Sequence, residues 1–193
     1  MDDLTPEEFA HLLLIAAAPP DRVGDVVARL VGDDFSIGPV PVGPGGVASA
    51  TAYATRGQVH VAIYEAADWH QIVTVPISLS VEVQMGNRSA HYRGAVEVET
   101  RLRLRLKQPC NVRVEIEDIT PDKIRTAIEP IGTAARVVDC VGGVEGTVAE
   151  QVLDFIDDLT SRPEFEDALN IDVIRVMQRA WDAGLVVDLP EED

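Results

Sequence analysis

The arrangement in this chain best suited to proton chemistry is Asp68-Trp69-His70, where a carboxylate two positions from an imidazole could orient the ring as a general base. Residues two apart share a face only in a strand, and this segment reads as a connector. Nucleophilic catalysis would also need a presented serine, and no Gly-x-Ser-x-Gly elbow occurs. His11, His60 and His91 are scattered, with no HxH or HExxH pair and no cysteine at ligand spacing, so no metal site is expected. Cys110 and Cys140 lack CxxC spacing and read as two buried, reduced thiols. The run Val141-Gly142-Gly143-Val144-Glu145-Gly146 lies where a phosphate loop could sit. Valine occupies the place of the first required glycine, and Glu145 would repel a phosphate, so a tight turn into a helix is the simpler reading. No catalytic residue and no cofactor is assigned, and an enzyme is the weaker expectation.

The one dense basic stripe is Arg101, Arg103, Arg105 and Lys107, with Arg113 beyond it. It could receive an anion or an acidic protein partner, or it could be a solvated sheet face that discourages edge pairing. It stands out because the chain as a whole is acidic. The 193 residues carry 33 Asp and Glu against 16 Lys and Arg, a formal charge of −17. That balance argues against nucleic acid and anionic membranes, both polyanions. With 46% hydrophobic residues the chain should nevertheless fold, as a single domain spanning 1–193. Arginine so outnumbers lysine, which occurs only at Lys107 and Lys123, that a high-GC bacterial genome is suggested. The acidic start does not resemble a secretory signal, and the apolar run Leu12 to Ala18 is too short to span a bilayer. A cytoplasmic protein with no integral membrane segment is expected. In that setting the sequon Asn87-Arg88-Ser89 is only a turn.

The elements that must position these residues are legible from periodicity. N-terminal helices are expected within 1–32. Thr5, Pro6 and Glu8 form a capping box, Phe9, Leu12, Leu13 and Ala16 share a face, and Pro19-Pro20 ends the helix. Asp21 can cap a second helix with Val23, Val26, Val27 and Leu30 inward. Residues 38–46, rich in Gly and Pro, read as a connector. Antiparallel strands follow over 47–117, beginning with a hairpin that turns at Arg56-Gly57. From Ile72 the alternation is clean, with Val73, Val75, Ile77, Leu79, Val81 and Val83 on one face, and Pro76 marks an edge or a bulge. After the Gly86-Asn87 turn, Val96, Val98, Leu102, Leu104 and Leu106 oppose Glu97, Glu99 and the basic stripe. The 13-residue run from Ala95 to Lys107 alone would extend roughly 43 Å at a rise of ~3.3 Å per residue. Sheets of this kind are wetted on one side and covered on the other. Thr120-Pro121-Asp122 reads as a helix start or as the approach to another strand, and Arg136 to Val141 as a brief strand. C-terminal helices over 144–183 supply the cover, led by an amphipathic one with Val148, Val152, Phe155 and Ile156 on one stripe. The expected class is α+β: a long, curved antiparallel sheet packed against a long amphipathic C-terminal helix, with N-terminal helices.

This order of elements resembles the tubular lipid-binding superfamily, whose members include the bactericidal/permeability-increasing-like and synaptotagmin-like mitochondrial lipid-binding modules. The resemblance runs from Gln71 to Trp181. It rests on the long hairpin around Gly86-Asn87, the alternating run from Leu102 to Ile116 broken at Pro109, and the helix that begins at Val144. It implies a non-enzymatic protein that binds a lipid or other hydrophobic small molecule inside the sheet. Val81, Val83, Val98, Leu102 and Leu104 would line the cavity, with Val148, Val152 and Phe155 on the helix. The same side chains would also fill a solid core, and only a cavity volume separates the two. Two other classes stand beside it. One is a helix-grip enzyme using His60, His70 or His91; the other is an interaction protein whose basic face docks an acidic partner, with a homo-oligomer as a separate partner expectation.

Overall fold

Two alternating runs form the spine of the molecule. The computed structural model describes residues 3–66, 69–132 and 144–185. Strand β4 (Trp69–Met85, 17 residues) turns at Gly86-Asn87 into β5 (Arg88–Lys107, 20 residues), and the two pair from Gln71↔Leu102 to Met85↔Arg88. Both strands are far longer than the usual 5–6 residues, so each has room for two partners on its outer side. On β4 those partners are β2 (Ala48–Arg56) over Ile77–Gln84 and β3 (His60–Ala66) over Trp69–Thr74. On β5 they are β7 (Ile124–Ile131) over His91–Val98 and β6 (Asn111–Ile116) over Leu102–Lys107. An edge strand completes each end, β1 (Asp34–Val42) beside β2 and β8 (Asn170–Asp172) beside β6. Among the described residues these form one eight-stranded, all-antiparallel sheet.

The sheet curls into a half-barrel with its apolar residues on the concave side. Val73, Val81 and Val83 of β4, Tyr92 and Val96 of β5 and Val112 of β6 are all but fully buried, as strict alternation requires. Helices fill the concavity. Helix α1 (Pro6–Ala17) has the capping box read from Thr5 and Glu8, and α2 (Pro20–Val31) lies against β3. Helix α3 (Val144–Thr160) touches both β1 and β7, the two lips of one half of the sheet, and so closes its open side. Two shorter helices follow, α4 (Pro163–Ala168) and α5 (Val173–Asp182).

Several expectations need correction. The residues read as a connector at 38–46 are largely β1, which tolerates Pro39 and Pro41 because it lies at the sheet edge. A bulge between Ile37 and Val40 accommodates Gly38, whose φ of +106° no side chain favours. A Cβ there would lie 2.6 Å from the Ala50 carbonyl oxygen, so Gly38→Ala is expected to cost ~2 kcal/mol or more, read from the urea midpoint of unfolding. Strands β2 and β3 do not form a hairpin; each pairs with its own half of β4, and Arg56-Gly57 steps between them. Pro76 is therefore neither at an edge nor in a bulge. Its carbonyl accepts from Gly57 N–H at 2.7 Å, so its missing N–H points at the junction between β2 and β3, where the ladder is already broken.

The helical stretch expected over 144–183 is interrupted by β8, and its later helices are short. Asp21 does not cap α2, whose N-cap is Pro19. On α1, Leu14 and Ala17 meet the core while Phe9 and Leu12 stay exposed. Of the two readings after Thr120, the chain adopts the strand. The brief strand expected at Arg136 to Val141 lies outside the described residues.

Candidate functional site

The residues read for catalysis are dispersed over the convex face. His60 faces Thr74 and His91 faces Glu82 across their ladders, positions roughly 26 Å apart along β4 at ~3.3 Å per residue. His70 is half-buried, and its Nδ1 accepts from the Leu104 backbone N–H at 3.3 Å. Asp68, which would orient it, lies outside the described residues, as do Cys140 and the loop at Val141-Gly142-Gly143. Cys110 is half-buried in the β5–β6 turn. Among the described residues no group of three or more His, Cys, Asp or Glu is placed to hold a metal ion. No helix among them is long and apolar enough to cross a membrane.

The basic stripe meets its counter-charges inside the sheet. Register sets Arg103 opposite Glu115, and the Glu115 carboxylate bridges Arg103 at 3.1 Å and Arg105 at 3.3 Å. Arg101 approaches Glu117 at 3.9 Å, and Arg113 pairs with Glu166 of α4 at 2.8 Å. The guanidinium of Arg101 also lies over Tyr64 and that of Arg103 over Trp69, at 5.2 and 4.9 Å from the ring centres. Lys107 is exposed at the end of β5, opposite Asn111. Desolvation raises the Glu115 pKa, but hydrogen bonds and positive charge from Arg105 and Arg103 outweigh it, and the net shift is downward. A depressed carboxyl stabilises the fold above its unfolded pKa and loses that contribution as pH falls through the folded one. Glu115→Gln is therefore expected to flatten the loss of stability below about pH 4.5, followed by thermal melting across pH 3–7.

The concave side holds a different kind of site. Alternation in β4 turns Val73, Val75, Ile77 and Leu79 inward, and β5 adds Val98, Thr100 and Leu102. Opposite them, the stripe of α3 presents Val152, Phe155, Ile156 and Leu159, and α2 presents Val27 and Val31. Phe155 stacks on Phe35 of β1, ring centres 4.3 Å apart and planes within 4°, which pins α3 to one lip of the sheet. These walls line a partly open cavity of about 100 Å³. Among the described residues that line it, Thr100 and Thr160 are the two with polar side chains, and neither hydroxyl is exposed in the wall. Thr100 Oγ1 donates to the Glu117 carbonyl at 3.0 Å and Thr160 Oγ1 to that of Asp157 at 3.1 Å. The surface facing the cavity is apolar throughout, and such a space stays dry or takes an apolar guest.

The residues expected to line a ligand are thus divided. Val98, Leu102, Val152 and Phe155 line this cavity. Val81, Val83 and Val148 border a gap of only about 30 Å³ toward the other end of α3. Leu104, 3% exposed, belongs to the packed core. Sequence reasoning missed the contributions of Val27, Val31, Phe35 and Phe165 to the wall. The α2 periodicity did point inward; nothing local marked Phe35 or Phe165.

Two further spaces adjoin the cavity. One of about 260 Å³ lies among α1, α2, α4 and β6, and the other is a groove of about 510 Å³ along β6. The groove carries the charged residues Arg113, Glu115, Glu117, Asp118 and Asp157 on its walls. No protein-family model matches the chain, and no curated protein matches it significantly.

Proposed function

We propose that this protein binds a lipid or other hydrophobic small molecule, without catalysis, in the space between the curled sheet and α3. The observation that carries this reading is the cavity between sheet and α3 whose wall is apolar throughout. Such a cavity offers a ligand dispersion and release from water rather than directional bonds, which favours an apolar chain over a polar metabolite. The adjoining groove, with its charged walls, suits the polar end of the same molecule. Kinship with the tubular lipid-binding superfamily is part of the proposal, supported by the long hairpin and by α3 lying across the sheet lips. A cytoplasmic setting is part of it too. Organic extraction of the purified protein followed by mass spectrometry tests the reading. An apolar molecule recovered at near one per chain is expected. A protein that yields none, and that takes up no 1-octanol when titrated with it, overturns it.

A further inference from the structure

Three spaces meet at one side chain. The cavity under α3, the space among α1, α2 and β6, and the groove along β6 all have Phe165 in their walls. Ile116 also borders all three, but it is fixed in β6 by its pairing with Leu102. Phe165 instead sits on α4, a six-residue helix between α3 and β8, and its ring is half-buried. Helix α4 is fastened to β6 by the Arg113–Glu166 ion pair at 2.8 Å and, just past its end, by Val114 N–H donating to the Leu169 carbonyl at 2.8 Å. The ion pair contributes little, and the backbone bond and the β6–β8 pairing hold the chain only from Leu169 onward, four residues past the Phe165 ring.

Volume gives this position its consequence. At about 100 Å³ the cavity has room for roughly three waters at ~30 Å³ each, too little for a long acyl chain. The groove and the third space are larger, and Phe165 stands at their junction with the cavity. We propose that Phe165 is a gate that sets the length of chain the protein accepts. With the ring inward, only the end of a slender, unbranched chain fits beneath α3. With the ring swung aside, the cavity joins the groove, and a longer chain lies through both with its polar end toward the charged walls. This inference rests on the hydrophobic-ligand reading above, and it makes chain length a property of residue 165.

Titration calorimetry with straight-chain 1-alkanols from propanol to dodecanol tests the gate. The probes are uncharged, so the carboxylates of Asp118 and Asp157 at the groove do not repel them. In the unaltered protein, affinity is expected to rise about fourfold per methylene and then level off once the cavity under α3 is full. Phe165→Ala is expected to extend the rise, binding dodecanol at least about tenfold tighter while propanol changes by less than about twofold. Phe165→Leu, a milder change to the packing, should move the plateau in the same direction, and Phe165→Trp should bring it to shorter chains. A plateau at the same length in all four proteins overturns the gate and leaves the ligand reading standing. No binding by any of them overturns both.

Discussion

Val98→Phe is expected to weaken binding of 1-octanol about 100-fold while leaving the protein folded. Val98 is 6% exposed, stands opposite Val75 on one side and Ile124 on the other, and turns its side chain into the cavity. The exchange adds four carbons in a space of about 100 Å³, so the new ring occupies the volume that a guest would need. A ligand that loses three or four buried methylenes, at ~0.8 kcal/mol each, binds about 100-fold more weakly. Overpacking a filled core costs roughly 1–3 kcal/mol, but here the ring enters an existing void, and a change within ~1 kcal/mol is expected. Calorimetry with 1-octanol and a thermal melt read the two quantities on the same sample. An unchanged affinity in Val98→Phe would move the ligand out of this cavity.

Tyr92→Ala is expected to be among the most destabilising single changes in the sheet. Tyr92 is 0% exposed and the largest fully buried side chain, on β5 between Val81 of β4 and Pro130 of β7. Truncating a buried aromatic typically costs 3–5 kcal/mol, because transfer energy is lost and the cavity left behind collapses only in part. In a chain of this size that lowers the melting temperature by on the order of 10 °C. Tyr92→Phe keeps the ring and should cost no more than ~1.5 kcal/mol. Urea unfolding with an unchanged slope separates these effects. A loss below ~1 kcal/mol in Tyr92→Ala would mean that the two halves of the sheet do not share one core.

The spine of this fold was open to reading because its signal is local and repeated. Val73 to Val83 and Val96 to Leu104 alternate with a single polar residue, Thr100, on the inward face, and the Gly86-Asn87 turn fixes their register, so both the paired strands and their inward faces follow from period two. What escaped depends on partners far away in the chain. Pro39 and Pro41 look like breakers until β1 is known to be an edge strand. Pro76 is tolerated mid-strand only because two different strands meet opposite it. A three-residue strand such as β8 has too few residues to show any period. The basic stripe shows the same limit: its positions were evident, but its pairing with Glu115 and Glu117 follows from the β5–β6 register. Half of the expected lining residues lie on the cavity itself, since alternation fixes which way a side chain points but not where along the helix the packing gaps. Phe165 is the extreme case, an aromatic in a six-residue helix whose importance comes only from where α4 lands.

The most direct test of ligand binding under α3 is methyl NMR of the labelled protein titrated with 1-octanol. Saturable shifts are expected at Val27, Val73, Val98, Val152 and Ile156, which line the cavity, with Val83 and Val112 unmoved. Shifts confined to Ile174, Val176 and Leu185, the exposed apolar residues at the C-terminal end, would contradict the account, as would no saturable shift at all.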